Sequence, residues 1–238
     1  MKLVFMGTPQ FAVPTLEALV ASQHEIVLVV TNPDRPAGRG RKLRPPPVRL
    51  AAEKAGLPLL QPDSIDAAGM AEALIEADAD AFVVVAFSIL PEDVLAIPRL
   101  GSINLHPSLL PAYRGAAPIV WALFAGEQQT GLTTFRLNER IDGGDILLQE
   151  AVDIEHEETA GELEQRLSHL GADLVVRTCD GLATDQLRPA AQPRRSPSRA
   201  PKLSKADGRL DWSQATQVLR NRVRGANPMP GAYTEWDG

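Results

Sequence analysis

Short runs of β-branched and aliphatic residues alternate with helical spacing along most of the chain. Lys2 to Met6 and Ile26 to Val30 are the first two such runs, and between them Leu16, Leu19 and Val20 share one helical face. This strand, helix, strand opening continues with helices over Val48 to Ala55 and Ala68 to Ala77, then the unbroken apolar run Ala81 to Phe87. A strand with no polar face is buried on both sides, as in the middle of a parallel sheet covered by helices. Gly101 to Leu105 reads as a further strand and Ala117 to Ala125 as a helix. Leu132 to Leu137 and Ile146 to Val152 read as extended segments on either side of a turn at Asp142 to Gly144. Thr159 and Glu162 form a capping box for a helix with Leu163, Leu167, Leu170 and Leu174 on one face. The pattern predicts an α/β domain, Rossmann-like, with a mostly parallel sheet and flanking helices.

The pattern changes after Gly181. Proline, arginine and serine dominate up to Ala206, the composition of a linker. Beyond it, a short basic helix is expected from Asp211 to about Arg224, and a strand over Ala232 to Trp236 leading into Asp237-Gly238. Asp-Gly is a hairpin-turn signal without a return strand here, so the chain is expected to end inside a second, β-rich unit. Three segments follow: an α/β domain over 1–186, a basic Pro/Arg/Ser linker over 187–206, and the incomplete start of a C-terminal, β-rich domain over 207–238.

With 238 residues, 44% of them apolar, a buried core is assured. A single cysteine, Cys179, permits no internal disulfide and is read as a buried thiol. The N-terminal apolar run is too short for a signal peptide, and no run approaches the ~18 residues of a membrane span, so a cytoplasmic protein without membrane contact is expected. The net charge of -6 hides two basic islands. Arg35, Arg39, Arg41, Lys42, Arg44 and Arg49 form the first; the second extends from Arg188 to Arg224. His24 and His156 are expected at the surface, and Trp121, Trp212 and Trp236 as packing anchors.

The chemistry gathers at Asn104-Leu105-His106, at the carboxyl end of a predicted strand where open parallel sheets place their ligand crevices, and at Asp142, 36 residues beyond His106. An amide donates a hydrogen bond to a developing oxyanion without changing protonation. An imidazole moves a proton or, when charged, adds a second donor, and a nearby carboxylate orients the ring and favours its charged form. Taken singly, each residue has a plainer reading, as a strand cap, a core histidine and a turn residue. Together they point to acyl transfer, in a loop stiffened by Pro107, Pro111 and Pro118. No G-x-G-x-x-G or Walker lysine is present, and a mixed Asp/His set without a second histidine or thiolate gives no metal site.

The series Asn104 to Pro118, Asn-x-His-x-Ser-Leu-Leu-Pro-x-Tyr-Arg-Gly-Ala-Ala-Pro, with Ile141-Asp142-Gly143-Gly144-Asp145, resembles the 10-formyltetrahydrofolate-dependent formyltransferases. Pro33 to Leu43 resembles the insertion loop of the members that act on methionyl-tRNA, and Phe5 to Phe11, Lys202 to Lys205, Asp211-Trp212 and Asn227-Pro228 extend the likeness over the chain. The resemblance implies that Asn104, His106 and Asp142 are catalytic and that Ser108, Leu109, Leu110 and Pro111 line the folate site. It also implies that Arg35, Arg39, Arg41, Lys42 and Arg44 contact tRNA, with Arg39 at the acceptor stem. The implied reaction carries formyl from 10-formyltetrahydrofolate, a co-substrate, to initiator methionyl-tRNA, with no metal, in a monomer. Ala86 to Pro91 departs from the family pattern: it is one residue short and lacks a glycine, so a turn needing positive φ must be rebuilt. The rivals are a formyl-folate enzyme with a small acceptor, which gives no reason for six cations in one loop, and a catalytically inactive RNA-binding module.

Overall fold

The computed structural model describes residues 1–37, 42–65, 69–193 and 197–236. In chain order the elements are β1 (Lys2–Gly7), α1 (Val13–Ala21), β2 (Glu25–Val30), β3 (Arg35–Ala37), β4 (Lys42–Arg44), α2 (Pro47–Lys54) and β5 (Leu59–Leu60). Next come α3 (Met70–Glu76), β6 (Ala81–Val85), α4 (Glu92–Leu95), β7 (Ser102–His106), β8 (Arg114–Gly115) and α5 (Pro118–Ala125). The chain continues through β9 (Gln129–Arg136), β10 (Ile146–Asp153), α6 (Ala160–Ala183), β11 (Arg199–Ala200) and α7 (Thr216–Gly225).

Seven strands form one sheet in the order β10-β9-β7-β6-β1-β2-β5. The five from β7 to β5 are parallel, and β9 and β10 extend the sheet antiparallel. The period-2 alternation of a strand splits the core in two. Leu3, Phe5, Val83 and Ile103 face one side, packed with α1, α2, α5 and α6; Val4, Met6, Phe82 and Val84 face the other, with α3 and α4. The unbroken apolar sequence of β6 thus serves both layers. Helix α6 is the longest element because its Leu163, Leu167 and Leu174 stripe is buried along one face and its Thr159/Glu162 capping box is formed. Such a cap contributes on the order of 1 kcal/mol.

Departures from expectation fall mostly near the C-terminus. The basic helix starts at Thr216, later than Asp211, and Ala232 to Trp236 forms no strand beyond one Arg209–Tyr233 bridge. Aromatic and β-branched content suggested a strand there, but a strand needs a partner, and the described residues supply only that bridge. Trp212 and Trp236 are 67% and 89% exposed, so neither anchors packing here. His24, expected at the surface, is buried with Nε2 3.2 Å from an Asp180 oxygen; burial, the largest influence, lowers its pKa from 6.5. Cys179 is fully buried, and desolvation pushes its thiol up to about 12, so it is inert as a nucleophile. No helix among the described residues is long and apolar enough to cross a membrane.

Candidate active site

Asn104 and His106 are two residues apart on β7 and therefore project from the same face of the sheet. Asn104 lies opposite Val84 in the parallel register, and its Nδ2 donates to the Val84 carbonyl at 3.0 Å. An amide nitrogen carries two hydrogens. One is fixed on β6, which orients the group and leaves the second for the adjoining cleft.

His106 closes the strand and is buried. Its Nε2 lies 3.0 Å from the Tyr113 carbonyl oxygen, and its Nδ1 lies 3.8 Å from Asp142 Oδ2. A carbonyl only accepts, so Nε2 bears the proton and the neutral ring turns a lone pair on Nδ1 toward Asp142. Asp142 does favour the charged imidazole, as expected, but burial outweighs it. Burial, the largest influence, and Arg114 lower the pKa of His106 below 6.5, against the upward pull of Asp142 and the Tyr113 hydrogen bond. Desolvation wins because the ring is buried while the carboxylate stands beyond hydrogen-bonding distance.

Asp142 sits in the turn between β9 and β10 with φ of 49°, unusual for a residue other than glycine. Its Oδ2 accepts from the Gly115 amide at 2.7 Å. The adjoining Gly144 is required by space: a side chain there would overlap the Arg136 carbonyl. Gly115 is doubly constrained, with φ of 128° and the Ala200 carbonyl where a Cβ would stand. Gly115→Ala is therefore expected to destabilise the fold by about 1–3 kcal/mol and to loosen the amide that holds Asp142. Thermal unfolding checks this; an unchanged Tm would mean that β8 and β11 can slide apart freely.

Two clefts meet at these residues. The larger, about 570 Å³, is lined by Asn104, His106 and Asp142 and by the loops that leave the carboxyl ends of β1, β6 and β7. Ile119, Ala160, Leu203, Pro228 and Met229 add apolar lining, beside the carboxyl of Glu164. The smaller, about 120 Å³, also touches Asn104 and Asp142 and is otherwise lined mainly by Phe87, Ile89, Leu90, Leu95, Leu137 and Ile141. Ile89 and Ile141 are 77% and 63% exposed at this slot, apolar surface left for an apolar ring to cover. The glycine missing from the Ala86 loop is replaced by Ala86 itself, which takes φ of 48°.

Ser108, Leu109, Leu110 and Pro111 are not among the residues that line these two clefts. Ser108 and Leu110 are fully buried. Ser108 Oγ donates to the Ala112 carbonyl at 2.6 Å, Leu110 N donates to Thr133 Oγ1 at 3.2 Å, and Gln149 donates to the Leu110 carbonyl at 3.1 Å. These bonds build the turn that follows His106.

The first basic island folds as the antiparallel β3–β4 hairpin, in which Arg35 pairs with Arg44; both are exposed. Arg39 and Arg41 lie outside the described residues, as does the Lys42 side chain. Arg49 does not belong with the free cations: it grips Asp34 at 2.7 Å and Glu53 at 2.8 Å, and with Gln61 anchors the hairpin base. Much of the second island is also engaged internally. Arg188 pairs with Asp185, Arg209 with Glu235 and Arg220 with Glu157; Arg222 stacks over Phe124, and Arg224 is buried.

The segment 187–206 departs most from its composition. Its described residues, 187–193 and 197–206, are tied to the body of the fold: Ala190 bridges Ile146 antiparallel, β11 pairs with β8 in parallel, and Trp121 Nε1 donates to the Pro201 carbonyl at 2.8 Å. Gln192 also contacts the Asp142 turn. Its side chain was missed in sequence because a lone glutamine in a Pro/Arg/Ser stretch carries no periodicity. No group of three or more His, Cys, Asp or Glu suited to a metal ion occurs among the described residues.

Residues 1–179 match the family described as "Formyl transferase", and residues 202–238 match "Formyl transferase, C-terminal domain". The chain is 47% identical to a methionyl-tRNA formyltransferase of Geobacter metallireducens over 239 residues, which is 100% of this chain and 77% of the relative. It is 49% identical to one from Acidobacterium capsulatum over 240 residues, again 100% of this chain and 77% of the relative. Among solved structures it is similar to an N-formyltransferase from Helicobacter canadensis in complex with folinic acid and dTDP-3-aminofucose. There the TM-score is 0.75 at 18% identity, covering 100% of this chain and 84% of that one. HypX from Aquifex aeolicus in complex with tetrahydrofolic acid gives a TM-score of 0.69 at 16% identity, covering 99% and 36%.

Proposed function

The chain belongs to the methionyl-tRNA formyltransferases of the formyl transferase family, and from that premise we propose how its two clefts carry formyl from 10-formyltetrahydrofolate to the α-amino nitrogen of methionyl-tRNA. The observation that carries the reading is that Asn104 and Asp142 line both clefts, with His106 beside them. The narrow apolar slot suits the flat ring system of the folate donor. The larger cleft takes the aminoacyl end, with the methionine side chain against the apolar wall of Leu203, Pro228 and Met229.

Attack of the neutral amine on the formyl carbon forms one C–N bond and places negative charge on the formyl oxygen. The free N–H of Asn104 stabilises that oxygen. Neutral His106 presents Nδ1 as an acceptor beside the Asp142 carboxylate, so the two hold the attacking N–H between them. They take its proton as the tetrahedral species forms, and return of that proton to N10 of the folate lets the second C–N bond break. No covalent enzyme intermediate is needed.

Residues 1–186 then supply the chemistry, 187–206 connect and add Leu203 to the acceptor cleft, and the C-terminal unit that starts at 207 adds Pro228 and Met229. The β3–β4 hairpin leaves the sheet at the carboxyl end of β2, the edge at which β7 also ends, because both strands run parallel to β1. Its exposed Arg35 and Arg44, with Arg39, Arg41 and Lys42, serve as phosphate and acceptor-stem contacts. Initiator methionyl-tRNA is the partner, one chain is the working unit, and the cytoplasm is the compartment this reading implies.

The test is formation of formylmethionyl-tRNA from 10-formyltetrahydrofolate by the purified protein, with a mischarged or non-initiator tRNA as control. The wild-type chain is expected to formylate the methionylated initiator and to discriminate against the controls. Arg35→Ala with Arg44→Ala is expected to raise the KM for tRNA about tenfold at moderate salt and to leave the KM for folate unchanged. Absence of product would reject the function, and equal effects on both substrates would reject the role of the hairpin.

A further inference from the structure

Gln192 lies 50 residues from Asp142 in sequence, yet its Nε2 donates to the Asp142 carbonyl at 2.7 Å and to the Gly144 carbonyl at 2.8 Å. Its Oε1 accepts from Arg114 Nη2 at 2.5 Å. Arg114 precedes Gly115, whose N–H holds the Asp142 carboxylate at 2.7 Å. The contacts close a ring: Asp142 backbone, Gln192, Arg114, Gly115, Asp142 side chain. Neighbouring bonds brace the same loop from the same segment, since Tyr113 N donates to Ser198 Oγ at 2.7 Å and Arg114 N to the Ser198 carbonyl at 3.0 Å.

Resting on the function proposed above, we propose that Gln192 is a positioning residue that holds the Asp142 turn and the Tyr113–Gly115 loop in register, fixing the carboxylate beside His106. The amide is suited to this by its inventory: two hydrogens for two adjacent carbonyls, and one oxygen for a guanidinium. Glutamate has the same shape but presents only acceptors to those carbonyls. Methionine has similar length and presents nothing. The turn gains from external support because Asp142 is held in the left-handed region, which aspartate tolerates better than most residues but at a cost that glycine does not incur. Displacement of a reacting group by ~1 Å can lower turnover by about 10²-fold, so a residue that touches no substrate can still set the rate.

The experiment compares wild type, Gln192→Met and Gln192→Glu by NMR titration of the His106 imidazole and by steady-state kinetics. The charged groups acting on that ring are Asp142, which raises its pKa, and Arg114, which lowers it; the Tyr113 carbonyl faces Nε2. If Gln192 holds Asp142 in place, Gln192→Met lets the carboxylate drift, and His106 titrates at lower pH than in wild type. Turnover then falls about 10- to 10²-fold with both KM values within about twofold, and Gln192→Glu is affected at least as much. A His106 titration that stays in place, or moves up toward 6.5 as an opened and hydrated site would make it do, overturns the assignment. The titration does not depend on any reaction. Wild-type protein that makes no formylmethionyl-tRNA would therefore reject the proposed function, while the Gln192 result would still be read from the imidazole.

Discussion

Replacing His106 with alanine slows formyl transfer at least about 10²-fold, the scale of a lost proton acceptor, while folate binding stays near its wild-type value. Single-turnover rates and a folate titration on the same preparation separate the two quantities. The expectation follows from where the ring points. Nε2 is committed to the Tyr113 carbonyl, so the loss falls on Nδ1, the nitrogen that faces Asp142 and the acceptor cleft. The folate slot does not include His106, so its affinity has no reason to change.

The same geometry sets a pH dependence. The working form is neutral, and burial has moved the His106 pKa below 6.5. The His106 contribution to activity is therefore retained through pH 6.5 and lost only as pH falls through that lower folded value. That value lies below the acid limb that protonation of the attacking α-amine itself imposes. Stability follows with the same sign: the unfolded chain protonates His106, and likewise His24, more readily than the native protein does. The contribution of both rings is complete above 6.5 and is lost as pH drops through their folded values. A His106 imidazole that titrates at or above 6.5 by NMR would contradict the neutral, buried ring, and a His106→Ala variant with unchanged turnover removes the imidazole from the mechanism.

The second large effect is expected at Asn104. Asn104→Ala deletes the donor aimed at the formyl oxygen, a change that typically lowers turnover by about 10²- to 10³-fold. Asn104→Asp should be at least as damaging for two reasons. A carboxylate would face the Val84 carbonyl, where the amide now donates at 3.0 Å, and it would put negative charge where the oxyanion forms. Both variants should fold, because Asn104 is only partly buried and lies at the cleft. Rapid-quench measurement of product formation, with circular dichroism as the folding control, decides the matter. An Asn104→Ala enzyme within tenfold of wild type would mean that another donor serves the oxygen.

Particular residues show what could be read from the chain in advance. The apolar run from Ala81, the capping box at Thr159 and the leucine stripe of α6 were legible because each is a local pattern whose burial depends on its own period. The prolines and polar groups from Asn104 to Pro118 marked the site, but not which of them face it. Burial of Ser108 and Leu110 in the turn after His106 was not legible, since a turn and a pocket wall use the same residue types. The slot at Ile89 and Ile141 was not legible: two isolated isoleucines more than 50 residues apart become one surface only when their loops meet. The arginines beyond Gln186 read as a free basic patch, although carboxylates distant in sequence, such as Glu157 for Arg220, already neutralise several of them.

By itself the sequence determined the parallel-sheet core, the order of its strands and helices, and the placing of an amide and an imidazole together at the end of β7. Those follow from hydrophobic period and from side chains two residues apart on a strand. The tertiary structure alone decided that Asp142 stands 3.8 Å from His106, that the ring is neutral, and that the Pro/Arg/Ser segment braces the turn through Gln192. The reason is physical: these depend on desolvation and on contacts between segments 36 to 78 residues apart, and no local period encodes either.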